Sequence, residues 1–207
     1  MTTSERFQVL RASERPATAW LNGGGVTREV AGFPAGTGLD RFDWRVSLAD
    51  VASAGPFSPF PGIDRVITLV EGAGMALTVD GVEQLVDTPY RPFPFSGDAA
   101  TDCRLLSGPV VDFNVMTRRG RVEATVDLAT APVPVEVPAE GAVLLVCLAG
   151  TAVVGGTEHT EQAGHTEQAA HAELARYDAA LLDAPGTGTY ELRPDGVTAV
   201  VTFRTAR

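Results

Sequence analysis

The stretch VDFNVMTR, residues 111–118, places Asp112, Asn114, Met116 and Arg118 at every second position. In a strand that spacing puts them on one face, with Phe113 and Val115 on the other. FDWRVSL repeats the pattern: Asp43, Arg45 and Ser47 alternate with Phe42, Trp44, Val46 and Leu48. In GIDRVITLV, Arg65 falls on the face of Ile63 and Ile67. Such residues can do two kinds of chemistry. A guanidinium in a partly desolvated pocket offers a planar fork to both oxygens of a small carboxylate. A carboxylate such as Asp98 or Asp112 can instead act as the base of a metal-independent hydrolase or isomerase. The plainer alternative is a solvated sheet face. Against it, PFSPFPGIDR and WLNGGGVTRE are dense in aromatic, Gly and Pro residues for simple surface turns, and such loops can wall a pocket.

Much other chemistry is excluded. There is no G-x-G-x-x-G, P-loop, C-x-x-C, H-E-x-x-H or G-x-S-x-G. All sixteen basic residues are Arg, so Schiff-base and lysine-base mechanisms are absent. The three histidines, His159, His165 and His171, all lie in the repeat HTEQAGHTEQAAHAE. Six residues apart, they share no helix face, and along a strand neighbours would stand about 20 Å apart, too far to share an ion. The segment 159–173 therefore reads as a solvated, dispensable loop. Cys103 and Cys147 sit in apolar stretches and read as buried thiols. A net charge of −10 argues against nucleic acid and anionic membranes. With no secretory h-region and no apolar run long enough to span a bilayer, a cytoplasmic protein is expected.

The elements that must hold these residues are strands. Twenty-two Gly and fourteen Pro punctuate short alternating or β-branched runs. Strands are expected at 27–33, 42–51, 65–70, 75–80, 102–107, 110–117, 121–128, 142–150, 151–156, 178–184, 188–194 and 196–205, with little helix. GIDRVITLVEGAGMALTVDG, residues 62–81, has the strand–turn–strand order of a double-stranded β-helix, or cupin, motif. Where metal cupins carry His-x-His, this chain has Pro61, Gly62, Ile63 and Asp64, so no metal and no cofactor is expected. LVEGAGMALTVDG and CLAGTAVVGG both read as hairpins, and the two halves are faintly alike. Two cupin-like barrels are the economical reading, all-β and bicupin, over 1–118 and 119–207. A single large β-sandwich is the alternative.

WLNGGGVTREV (20–30), FDWRVSLADVASAGPFSPFPGIDR (42–65), LVEGAGMAL (69–77), PFPFSGD (92–98) and LLSGPVVDFNVMTRRG (105–120) together resemble the HutD/Ves family. The resemblance covers roughly residues 20–120; beyond that it extends only to cupin-like texture. It implies a bicupin lacking the usual metal ligands. It also implies an association with histidine utilisation, in which HutD is thought to sense an intermediate such as N-formylglutamate, while Ves-type members are labelled stress proteins. By motif position, the ligand site is assigned to Asn22, Gly24, Thr27, Arg28, Arg45, Ser47, Arg65, Asp112, Asn114 and Met116. The expected partner is a small carboxylate, with a homodimer as the expected assembly. The readings that compete with a regulatory binding protein are a metal-independent enzyme and a structural or interaction protein.

Overall fold

In the computed structural model, the described residues are 7–39, 41–157, 171–183 and 189–206. Their regular structure is all strand apart from one 3-10 turn at Ala12–Glu14. The strands are β1 (Gln8–Leu10), β2 (Thr18–Ala19), β3 (Gly25–Phe33), β4 (Trp44–Val51), β5 (Gly55–Pro56), β6 (Ile63–Glu71), β7 (Met75–Val79), β8 (Val82–Val86) and β9 (Pro92–Ser96). They continue as β10 (Thr101–Leu105), β11 (Val110–Arg118), β12 (Val122–Ala129), β13 (Val133–Val135), β14 (Gly141–Thr157), β15 (His171–Leu174), β16 (Ala179–Leu182) and β17 (Thr189–Thr205). The fold is all-β. Its three sheets are open, each running from one edge strand to another.

The chain divides into two compact units, Arg15–Glu123 with Ala206–Arg207, and Met1–Glu14 with Ala124–Thr205. The first holds a six-stranded sheet, β2-β3-β4-β11-β6-β9, and a four-stranded sheet, β5-β10-β7-β8. Ala49, Ile67 and Leu69 from the larger sheet and Met75, Leu77 and Cys103 from the smaller share one buried cluster, so the two sheets are its layers. The tight β7–β8 hairpin turns on Asp80 and Gly81, whose φ values of 47° and 83° suit the mirror-image turn that a right-twisted hairpin requires.

The second unit is one seven-stranded sheet, β1-β16-β14-β17-β12, with β13 on β17 and β15 on β14. Expected hairpins at 142–156 and 188–205 are instead two single strands of seventeen residues each. The register shifts between Cys147 and Ala149. That bulge inverts side-chain parity: Val143, Leu145 and Cys147 face the core before it, and Ala152 and Val154 after it. Gly150 faces Gly196 across the ladder. A Cβ on Gly150 would lie 1.9 Å from the Asp195 carbonyl oxygen, so these glycines permit a close backbone approach, not a chain reversal. β1 pairs with β16, which places the described residues 7–14 with the C-terminal half and not with 15–118. Arg11 and the Ala12 N–H both hold Asp178. Although burial opposes it, those bonds and one from the Ala175 N–H keep this carboxyl below its usual range.

The repeat at 159–173 lies outside the described residues except for its end. His171, Ala172 and Glu173 are not loop: they open β15 and pair with Gly155, Val154 and Val153.

Candidate functional site

Three neighbouring strands of the six-stranded sheet assemble the polar residues. On β11, Asn114 lies opposite Ser47 of β4 and Ile67 of β6. Met116 lies opposite Arg45 and Arg65. The same alternation that suggested a solvated face instead turns these side chains inward: Ser47 is 3% exposed, Arg65 7%, Asp112 1% and Asn114 6%. Opposite them in parity, Trp44, Val46, Phe113 and Val115 are buried too. The solvated-face reading is therefore wrong for this sheet.

Arg65 is the centre of the cluster. Its Nε and Nη2 donate to Asn114 Oδ1 at 3.4 and 3.2 Å, and Asn114 Nδ2 donates to Asp112 Oδ1 at 3.2 Å. Asn114 thus links a buried cation to a buried anion that do not touch. The Arg65 guanidinium carbon lies 4.8 Å from the Phe95 ring centre, 5.4 Å from Phe57 and 5.5 Å from Phe60. Rings at that range replace part of the lost hydration of a desolvated cation. Among the described residues Nη1 has no hydrogen-bonding partner. Burial still lowers the Arg65 pKa to about 10, with Asp112 opposing and Arg45 adding to the fall. At neutral pH it stays charged. Arg45 supplies a second cation nearby, held through Nε by Glu29 at 2.6 Å.

Asp112 is pushed up to about 6, chiefly by burial, against the pull of Asn114 and Arg65. A carboxyl near neutrality can exchange a proton under ordinary conditions. Asp98, the other carboxylate considered as a base, is held near 2 by the Gly62 N–H, Arg119 and Ser96. It ties a surface loop and cannot serve as a base that picks up protons at neutral pH. Burial raises Cys103 to about 11, which keeps its thiol protonated and inert.

The remaining assigned residues lie elsewhere. Asn22 is exposed and its Oδ1 accepts from the Gly24 N–H at 3.0 Å, a local turn. A Cβ on Gly24 would come within 3.2 Å of both Asn22 Oδ1 and Ser53 Oγ. Thr27 accepts from Trp20 Nε1 at 2.7 Å. Arg28 sits opposite Leu48, on the other face from Ser47, and pairs with a half-exposed Asp50. Met116 is the exception: it stands between Arg45 and Arg65 across the ladder and packs with Phe42 and Ile63. Sequence reasoning missed Glu29 and the three phenylalanines as individuals. Their signal was the aromatic density of PFSPFP and PFPFS.

Among the described residues no three His, Cys, Asp or Glu side chains come together to hold a metal ion. At the position where metal cupins place His-x-His, Asp64 is occupied by Arg119 at 2.6 Å. The donor set does not fit a cupin metal. A groove of about 410 Å³ runs along residues 84–88 and 91–94; of these Phe93 stacks on Phe95, the ring nearest Arg65. No helix among the described residues is long and apolar enough to cross a membrane.

Fold and site define an all-β protein of the cupin-like kind, one whose polar interior is organised around an arginine. The pattern that defines the HutD family matches residues 12–200, and the chain belongs to that family. It is 43% identical over 119 residues to an uncharacterised 21.2 kDa protein from the hutC 3′ region of Pseudomonas putida, covering 58% of this chain and 62% of that one. It is 44% identical over 117 residues to protein Ves of Citrobacter koseri, covering 55% and 59%. The chain thus matches about three fifths of the length of these curated relatives. The solved structure of HutD from Pseudomonas fluorescens SBW25, in a formate condition, superposes with a TM-score of 0.80 at 31% identity, covering 97% of this chain and 100% of that one. An oxalate decarboxylase from Lactobacillus farciminis, 8% identical with a TM-score of 0.63, shares the fold alone.

Proposed function

We propose that this chain is a metal-free bicupin that binds a small carboxylate of the N-formylglutamate type and acts in the cytoplasm as a regulator of histidine utilisation. One observation carries the reading: Arg65 is a buried, charged guanidinium with a single neutral hydrogen-bonding partner and an unused Nη1. A cation left in that state costs several kcal/mol, and a carboxylate seated against it would supply the missing charge and acceptors. Arg45 adds a second positive centre, and the three phenylalanine rings make the surroundings of the guanidinium less polar. Support also comes from the relative in a hutC 3′ region and from the HutD structure in a formate condition.

Thermal melting with N-formylglutamate, formate and a neutral amide as control tests the proposal. A ligand bound only by the folded state at a hundredfold excess over Kd stabilises by about 2.7 kcal/mol. N-formylglutamate should raise the melting temperature of the parent by clearly more than that of Arg65→Met. If the two respond alike, or neither responds to any carboxylate, the reading fails.

A second reading, a metal-independent enzyme with Asp112 as base, is favoured by the elevated Asp112 pKa. Turnover followed by NMR on the parent and on Asp112→Asn separates it from simple binding.

A further inference from the structure

The first unit has four edge strands, and three are guarded against pairing with another chain. β2 and β5 are two residues long, and β5 ends in Pro56. β9 reads PFPFS. Phe93 and Phe95 face Ile67 and Arg65 of β6. Pro92 and Pro94 therefore occupy the positions whose N–H would point outward, and proline has none. Short edges and prolines are the ordinary means of blocking edge-to-edge association.

β8 has no such guard. It is five residues long, VEQLV, with no proline, and its first four residues are exposed. Val82 and Leu85 are each 58% exposed. The two-residue turn at Asp80 and Gly81 makes Val79 and Val82 a hydrogen-bonded pair, so alternation gives Leu77–Gln84 and Met75–Val86 the next bonds to β7. The N–H and C=O groups of Glu83 and Leu85 consequently point away from the sheet. Among the described residues they have no hydrogen-bonding partner. A groove of about 410 Å³ runs along residues 84–88 and 91–94 and so includes the C-terminal half of β8.

We propose that β8 is a dimerisation edge, pairing antiparallel with β8 of a second copy of this chain about a two-fold axis through Gln84. The sequence is self-complementary in that register. Val82 meets Val86, Gln84 meets Gln84, and Glu83 meets Leu85 of the copy, so the segment's only charge never faces its own kind. Arg104, 3.0 Å from Glu83, neutralises that charge on each side. Glu83 and Leu85 become hydrogen-bonded pairs, and the two exposed apolar side chains gain neighbours. Twofold dimers are the commonest soluble homo-oligomers, and their contact is isologous, as this register is. The pairing would continue the four-stranded sheet across two molecules.

The register makes the test specific. The two Gln84 residues form a non-hydrogen-bonded pair, with Cα atoms about 4.5 Å apart, inside the span a disulfide bridges. Gln84→Cys should therefore form a covalent dimer under mild oxidation, reversed by reductant; the native cysteines are both buried. Leu85→Pro copies the device of β9, removing an outward donor that β7 does not use. It should weaken the dimer measured by sedimentation by about tenfold or more while leaving the far-ultraviolet spectrum unchanged. Leu85→Lys serves if the proline variant does not fold. A parent that sediments as a monomer at micromolar concentration overturns the proposal. So does a dimer that neither Leu85 variant weakens.

Discussion

The interior of the unit built from residues 15–123 carries Arg65, Asp112, Asn114 and Ser47, where the other unit carries Val143, Leu145, Cys147, Val154 and Leu192. Both interiors are enclosed by strands, and both bury their facing side chains almost completely. The second unit gains its stability in the ordinary way, by removing branched apolar groups from water. The first accepts a buried cation and a buried carboxyl that do not touch. A well-packed apolar substitute is often as stable as a buried ion pair, or more so. On the proposed function, the polar cluster is there for what it binds rather than for what it holds together. The apolar unit is the measure of what such a cluster forgoes.

The sharpest way to break the comparison is to exchange characters. Leu145→Asp puts a carboxyl into an interior where no cation is buried among the described residues, and should destabilise by about 4–5 kcal/mol or prevent folding. Denaturant unfolding would show it. Arg65→Met, in the other unit, should unfold at nearly the parent's denaturant concentration. Equal damage from both would mean that the arginine is a structural member.

A second test uses pH. The folded Asp112 carboxyl titrates near 6 in place of 3.8, so the folded state holds a proton that the unfolded chain has released. Stability from this group is present below about pH 4 and is lost as pH rises through 6. Asp112→Asn removes the dependence. The variant should match the parent near pH 4 and exceed it at pH 8 by up to about 3 kcal/mol, since each pKa unit is worth about 1.4 kcal/mol. A constant difference across that range would refute the assignment.

Binding gives a smaller effect. Arg65→Met should weaken N-formylglutamate by about 1.5–3 kcal/mol, the range for a hydrogen bond to a charged group, while Cys147→Ala leaves it unchanged in calorimetry. The reverse result would move the site to the other unit. The smallest effect belongs to Asp98, whose side chain is about half-exposed at the surface. Its lowered pKa adds stability above about pH 4 that fades as pH falls toward 2. Asp98→Asn should therefore alter the melting curve only slightly, and only on the neutral side of that window.

The sequence allowed the faces to be read, but not what they face. Alternation along 42–48 and 111–118 correctly grouped Arg45 with Ser47 and Asp112 with Asn114. Whether a polar face meets water or a second sheet depends on which strands cover it, and alternation is the same in both cases. The long strands were misread for a related reason. A glycine in an apolar run marks a turn or a bulge equally well, and Gly150 and Gly196 stand beside a bulge. Arg28 and Arg65 stood alike in the motif blocks, but opposite parity sends one outward to Asp50 and the other inward to Asn114. The pairing of Gln8 with Leu181 joins segments too distant for any local signal.

That last pairing orders events during synthesis. β1 leaves the ribosome roughly 170 residues ahead of β16, its hydrogen-bonding partner, so the loop between them must be made before the pair can close. Residues 15–123 can complete their own sheets meanwhile. β1 waits until β16 appears, so chaperones would meet a nascent chain whose two units are completed at different times.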